Sequence, residues 1–563
     1  MFIRIGLMSL IIMPILIGLI GVILPATGYF PPLGGKTVSL KPVEDFFHLP
    51  GISHSIWLSF TTGLLATALS AGMALLLPGL LYGHKSFQIL GRYLSPILSL
   101  PHITVAVGIL FLMQPSGWLM RLLSPYFTGF DRPPIGYFFP DQHGFALVIA
   151  LMAKEIPFLI LMTLSALSQI NTRPLLTVAR SLGYGPLAAW IYVIVPELWV
   201  RLKLPILIVL VFSFSVVDMA IILAPSTPPP LAVRVISLYQ DPDLSQRFVA
   251  SVAAVMQIVV VFFGAIISFG LTHILGKLIK RQAYAGWRIQ LRFNLLSQII
   301  KWFVLIAGIL PMMLAILGLL AAIIWSLADQ WRFPSALPHK FSLKYWARSF
   351  DGFAEVVQTT LILGLLSSFL SLLLVMLWLG VTSKNKDTTI RKKNWSEHLL
   401  FLPLVLPQIA FLFGIQIMLL WLGLDGSIFA LIWSHMLFVI PYIWLSLAPS
   451  WQSFNNNWLD LAGTLGASRF KRFLKVRMPI MIQPILISFA VGFSVSAALY
   501  LPTVFAGNGQ VITLTVEAVT LASGASRQQL GVATGLQMAL PLLIYILAGL
   551  ITNMRTKRFS YFS

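Results

Sequence analysis

Residues 171–216 read NTRPLLTVARSLGYGPLAAWIYVIVPELWVRLKLPILIVLVFSFSV, and residues 456–495 read NNWLDLAGTLGASRFKRFLKVRMPIMIQPILISFAVGFSV. Each begins with helix-opening residues, Asn171 with Pro174 and Asn456 with Asn457. Each runs through about two turns of mixed apolar and small residues, reaches Gly183 or Gly466, and restarts at Pro186 or Ser468. Thirteen residues beyond each Gly stands Pro196 or Pro479, followed by an apolar run in which PILI and FSV recur at the same spacing. Gly at such a position ends a helix in a left-handed turn, and Pro or Ser opens the next one. Two short helices meeting at a Gly cannot cross a bilayer, so each copy predicts a protruding elbow followed by a membrane span. A third matched block lies upstream in the same order, LPHITVAVGI at 100–109 against LPQIAFLFGI at 406–415. The chain is a duplication.

Composition sets the medium in which the duplicate sits. Of 563 residues, 58% are apolar and only 10% charged, against about 25% charged in soluble proteins. The apolar residues fall in blocks near the length of a bilayer span, at 5–25, 56–80, 93–113, 145–168, 204–224, 249–276, 302–326, 357–381, 399–423, 429–449, 482–505 and 528–553. The predicted fold is an all-α polytopic membrane protein of twelve spans, with one permease-like half in 1–285 and a second in 286–563. Six is even, so both halves enter from the same side as parallel repeats about an axis along the membrane normal.

The net charge of +21 is distributed unevenly. The side carrying the termini holds 26 Lys and Arg but only Glu197, Asp387, Glu397 and Asp460 as acids, including basic clusters at 277–301, 384–393 and 469–477. The other side holds 11 of each sign. This is the positive-inside pattern and predicts cytoplasmic termini. Lacking a soluble basic domain, the chain has no expected nucleic-acid role, and the basic elbow residues also suit anionic lipid. No Cys is present, which excludes disulfides, iron–sulfur clusters and thiolate metal sites. Residues 5–25 exceed the h-region of a signal peptide and read as an uncleaved span. LPATG at 24–28 matches a sorting signal in letters only, since it stands in a loop after the first span.

The elbow resembles the EAA loop of permease subunits of ATP-binding-cassette importers, in which Glu-Ala-Ala is followed by three residues, Gly and a distal Pro. TVARSLG (177–183) with Pro196 and DLAGTLG (460–466) with Pro479 fit that frame. The likeness spans both halves and is typical of fused double permeases, similar to those handling ferric iron, thiamine or sulfate. It implies a type I importer fold in the bacterial inner membrane. Two copies of a separate ATPase subunit would dock on the elbows, with a periplasmic solute-binding protein on the outer face. It also implies that Thr177, Ala179 and Gly183, with Asp460, Ala462 and Gly466, make the coupling contacts. Thr177 departs from the pattern, whereas Asp460 keeps a shortened acid, so the two docking surfaces are unequal.

No P-loop is present: the string around Gly270, Gly276 and Lys277 has the wrong spacing for phosphate binding. ATP is therefore expected on partner subunits, with neither a cofactor nor catalysis in this chain. Lys154, Glu155 and Asp218 fall inside spans, where each charge costs at least about 2.5–3.5 kcal/mol and calls for a partner or a wet cavity. Neighbours at i and i+1 do not face each other, so Lys154 and Glu155 should have different partners. Asp218 is placed to meet Lys154 either as a translocation-path pair or as a structural clamp. The second half has no counterpart to them; Phe438 stands at the position matched to Lys154 by its distance from the following Pro. His102 and Gln408, after Pro101 and Pro407, read as capping or snorkelling groups. His435 reads as an interhelical hydrogen-bonding group with no metal set around it. The Pro-rich stretch at 225–230 and residues 124–144 read as outer connectors. An alternative function is a six-plus-six carrier driven by protons or sodium, with Glu155 and Asp218 as coupling acids.

Overall fold

The computed structural model describes residues 2–84, 87, 100–134, 141–284, 294–383, 399–524 and 526–560. Lys85, Arg92, the basic cluster at 384–393, Asp387, Glu397, residues 93–99 of the third span and the join at 285–293 lie outside the described residues, as do the side chains of Arg555, Lys557 and Arg558. Numbered in chain order, the helices that build the two elbows and the space between the halves begin with α1 (Phe2–Ala26), α2 (Ile52–Leu81), α3 (His102–Met113) and α4 (Phe145–Leu167). The first elbow follows as α5 (Thr172–Ser181) and the start of α6 (Pro186–Ser215), then α7 (Asp218–Leu223) and α8 (Gln246–Tyr284). The second half comprises α9 (Asn294–Leu327), α10 (Lys344–Ser383), α11 (Ile409–Trp421), α12 (Ile428–Ser453), α13 (Asn457–Thr464), α14 (Arg469–Ala498), α15 (Leu501–Gly507) and α16 (Arg527–Ser560). Apart from a two-stranded ribbon joining Ala328–Gln330 to Lys340–Phe341, the described residues form helices and connectors.

Among the described residues, eleven helical segments are long and apolar enough to cross a membrane, one of them running from the start of α3 on to Leu123. α11 stands where the sequence predicts the ninth span, but its 13 residues rise only about 20 Å. The reason is local: Leu406 is extended ahead of Pro407, which separates α11 from the short turn Leu402–Val405. Its counterpart α3 likewise opens at Pro101. Two further spans are interrupted. The predicted span 204–224 breaks between α6 and α7 at Val216 and Val217, and 482–505 breaks between α14 and α15 at Leu499 and Tyr500.

The halves exchange their first helices. α1 packs on α11 of the second half, and α9 packs on α3 of the first. Matching glycines permit both crossings: Gly414 lies backbone to backbone against Gly18, with Gly21 beside it, and Gly108 lies against Gly318. Gly108 and Gly414 are the equivalent glycines of the LPHITVAVGI and LPQIAFLFGI blocks. Lipid tails are as apolar as Leu, so helix association in a bilayer relies on such close approach of small residues. Phenylalanines of the FSV blocks fill other notches, Phe214 over Gly63 of α2 and Phe493 over Gly364 of α10. At the far end from the elbows, Arg121 ties the halves together. Its guanidinium donates to the Arg332 carbonyl at 2.8 Å and lies 4.8 Å from the Trp331 ring centre.

Candidate functional site

Each elbow is built by the same local chemistry. α5 ends with Gly183 at φ +87° and α13 with Gly466 at φ +79°. The Tyr184 N–H returns to the Ala179 carbonyl at 3.2 Å, and the Ala467 N–H to the Ala462 carbonyl at 3.0 Å. This six-to-one bond satisfies a carbonyl left over at the helix end and requires the left-handed residue that Gly supplies. Ser468 then opens α14 by accepting from the Lys471 N–H at 3.4 Å.

Pro196 and Pro479 do not separate a surface helix from the next span: α6 and α14 run through them as continuous 30-residue helices. One turn widens to π geometry just before each Pro, at Trp190–Ile194 and Phe473–Arg477. The Val195 N–H reaches Trp190 and the Met478 N–H reaches Phe473. Proline donates no hydrogen bond and its ring crowds the carbonyl four residues back, and a π turn relieves both conflicts without ending the helix.

Thr177, Gly183, Asp460 and Gly466 are exposed, and Ala462 is half-buried. Ala179 is only 3% exposed; its small side chain seats α5 on the root of α6, so it positions the elbow instead of forming its outer surface. The Thr177 hydroxyl donates back to the Arg173 carbonyl at 3.0 Å. The outer surface is apolar. Leu175, Val178 and Leu182 are exposed on the first elbow, and Trp458, Leu461 and Leu465 on the second. The two triples coincide when aligned on Gly183 and Gly466. Spacings of three and seven place each triple on one helix face, a signal already legible in the sequence. The roots differ: Arg477 is buried, donates to the Trp451 carbonyl at 3.3 Å and stacks 3.9 Å from that Trp ring centre, where the first elbow has Ile194.

Between the halves lies a cavity of about 390 Å³ that receives Lys154, Glu155 and Asp218 together. The helix breaks form its end wall from both sides: Val216, Val217 and Asp218 face it from one half, and Leu499, Tyr500 and Leu501 from the other. From there the lining follows α4 to Met162, α12 to Ser446, α6 back to Ile208 and α14 back to Ile487. All four directions lead toward the elbows, so the cavity extends to the elbow side of the breaks. The Lys154 ammonium donates to the Leu100 carbonyl at 2.6 Å. Its charge and that of Glu155 also act on one another, although adjacent helix positions suggest separate surroundings. Asp218 occupies the first turn of α7 and shares the cavity wall with Tyr500. Counted from Pro196 and Pro479, its counterpart is Leu501; counted from the PILI blocks, it is Ala497. Neither is an acid.

His102 and Gln408 also line the cavity, from the starts of α3 and α11. Their placement goes beyond the capping role read from the sequence, because Pro101 and Pro407 start these short helices at the depth of the cavity. His435 does join helices: Nδ1 is 2.8 Å from Ser496 Oγ and Nε2 is 3.0 Å from Thr503 Oγ1, bridging α12 to α14 and α15. His435→Leu is expected to lower the thermal midpoint of the purified chain by removing two buried hydrogen bonds, each loss worth about 1–3 kcal/mol when it leaves a group unsatisfied. His435→Gln should recover part of that loss in the same melt, and equal melting of all three proteins would refute the bridging role.

No family model matches the chain. It is 30% identical over 516 residues to the inner membrane ABC transporter permease protein YnjC of Escherichia coli (strain K12), covering 92% of this chain and 91% of that protein. It is 24% identical over 106 residues to the spermidine/putrescine transport system permease protein PotC of the same organism, covering 19% of this chain and 40% of PotC. PhnV of Salmonella typhimurium (strain LT2), named for 2-aminoethylphosphonate transport, is 21% identical over 194 residues, or 34% of this chain and 71% of PhnV. Full-length similarity to one permease and shorter matches to two more agree with the helical architecture, and the chain belongs to the ABC transporter permeases of the bacterial inner membrane.

Proposed function

We propose that this chain supplies both permease halves of an importer, 1–285 and 286–563, which carries a small solute from periplasm to cytoplasm by alternating access. Two copies of an ATPase subunit dock on the elbows, one on each, and a periplasmic solute-binding protein delivers cargo to the outer face. ATP is bound and hydrolysed on the partners; this chain is a transport permease and not an enzyme. Approach of the ATPases draws the elbows together and favours an outward-open path, and their separation restores the elbow-side opening. Thr177, Gly183, Asp460 and Gly466 contribute to the coupling surfaces, Ala179 and Ala462 hold the elbow turns, and Pro196 and Pro479 mark the roots of the levers. Lys154, Glu155 and Asp218 line the path.

The carrying observation is the pair of matched exposed apolar triples, each on a Gly-terminated elbow. Duplicated docking surfaces suit a partner with two equivalent grooves. Gly466→Pro is expected to leave membrane insertion intact and abolish ATP-driven uptake in vesicles. Proline fixes φ near −65°, whereas the elbow turn holds residue 466 at +79°. Undiminished ATP-driven uptake by this variant would remove the lever role. Uptake driven by a proton or sodium gradient without an ATPase would favour the carrier reading, with Glu155 and Asp218 as its coupling acids.

Orientation has its own test. The absence of Cys provides a clean background in which Leu182→Cys and Leu465→Cys should react with an impermeant maleimide only after the inner membrane is opened. Tyr126→Cys, in an exposed loop on the opposite side, should react in intact spheroplasts. The reverse pattern would place the elbows and termini outside the cytoplasm.

A further inference from the structure

Among the described residues, the cavity between the halves is lined by one Lys, Lys154, and two acids, Glu155 and Asp218. Lys154 and Glu155 are adjacent and act on each other's charge, and Lys154 also holds the Leu100 carbonyl. Asp218 is the second carboxyl group of the wall. It is 8% exposed, stands where α6 has just broken, and shares the end wall of the cavity with Tyr500 from the other half. At each break one helix ends and another begins, so those ends meet the cavity in pairs of opposite sign; α3 and α11 also start at its wall, and their N-terminal ends add partial positive charge beside Lys154. Elsewhere the wall is rich in rings, with Tyr442 near Glu155 and the His102 and Phe212 rings centred 4.6 Å apart. A buried carboxyl group in a wall that also carries aromatic rings suits a cation that has shed its water. The volume is at the lower end of the range of about 300–1,000 Å³ for small-ligand sites.

Building on the translocation-path reading above, we propose that the cavity receives a compact organic cation, an amine or a quaternary ammonium ion, with Asp218 as its counter-ion and the Tyr500 ring beside it. The asymmetry of the halves then has a use. Duplicated helix breaks shape the chamber, while Asp218, an acid at the break that the second half does not repeat, determines the sign of the guest.

The test uses the full chain in lipid nanodiscs, titrated calorimetrically with choline, butylammonium and spermidine, and separately with sulfate and glucose. Binding is expected for at least one cation and absent for sulfate and glucose. Asp218→Asn should weaken cation binding by about tenfold or more, while Asp218→Glu keeps it. Tyr500→Leu should weaken it and Tyr500→Phe preserve it with the thermal midpoints of both variants unchanged, a result that a purely packing role would not produce and that still decides the matter if Asp218→Asn fails to fold. Sulfate binding, absence of heat with all three cations, or equal cation affinity in the Asn and Leu variants would overturn the proposal. Those results would leave the permease reading standing if uptake still depended on the elbow leucines; loss of that dependence would remove the permease reading whatever the titration showed.

Discussion

Changing Leu182 and Leu465 together to Asp should abolish ATP-driven uptake while leaving the purified chain as stable as the parent. In the free chain Leu182 is 59% exposed and Leu465 81% exposed, so neither supports internal packing to any extent. Exposed substitutions of this kind usually change stability by about 0.5 kcal/mol or less. Against an ATPase groove the same change inserts a carboxylate where an apolar side chain should be covered. Central interface positions commonly contribute about 2 kcal/mol or more, so losing both elbows' leucines should weaken docking roughly a thousandfold. Co-purification with the ATPase and uptake by inverted vesicles are the two readouts, with thermal melting as the control for folding. Leu465→Asp alone should have the larger single effect, since Leu465 is the more exposed and Trp458 stands on the same face. Retained co-purification in the double variant would show that the apolar triples are not the docking surface.

Gly108→Val and Gly414→Val should each deprive the chain of its folded state in detergent, for a reason unrelated to docking. A Cβ on Gly108 would fall 2.9 Å from the Gly318 carbonyl carbon, and one on Gly414 would collide with the Gly18 carbonyl. The obstruction is backbone, so rotating a neighbouring side chain cannot relieve it; the helices themselves must separate. Overpacking a core typically costs about 1–3 kcal/mol, and here it would also weaken the exchanged contact that joins the halves. Expected results are a broadened or lost monodisperse peak on gel filtration and a large fall in melting temperature. Gly549→Val is the control, because nothing lies within 4 Å of the added carbon. Parental melting of the Gly108 and Gly414 variants would show that the close crossings are dispensable.

The same glycines mark the limit of sequence reading. Gly108 and Gly414 are visible as equivalent letters of a repeated block, but nothing in either block says that its partner helix comes from the other half. The elbows lie at the opposite extreme: left-handed glycines, helix-opening Pro and Ser, and apolar triples at helical spacing are consequences of neighbouring residues. Pro196 and Pro479 show how a sound local rule is overridden. A proline ordinarily bounds a helix, yet in both halves a π turn absorbs it and carries elbow and span as one rod. A rod of this kind is suited to transmitting a push at the elbow directly to the helix break.

Hydropathy, charge asymmetry and turn chemistry act over a few residues or over the whole bilayer, which is why the sequence by itself determined the all-α polytopic class, the repeated blocks and the paired elbows, but not the exact course of each span. Only the tertiary structure decided that the first helices cross over, that the fifth span of each half breaks opposite its counterpart, and that His102 and Gln408 share a chamber with Lys154, Glu155 and Asp218. Those facts rest on contacts between segments as far apart as α1 and α11, where the fit of small residues determines which surfaces meet. No local pattern encodes such a fit until both surfaces have been folded.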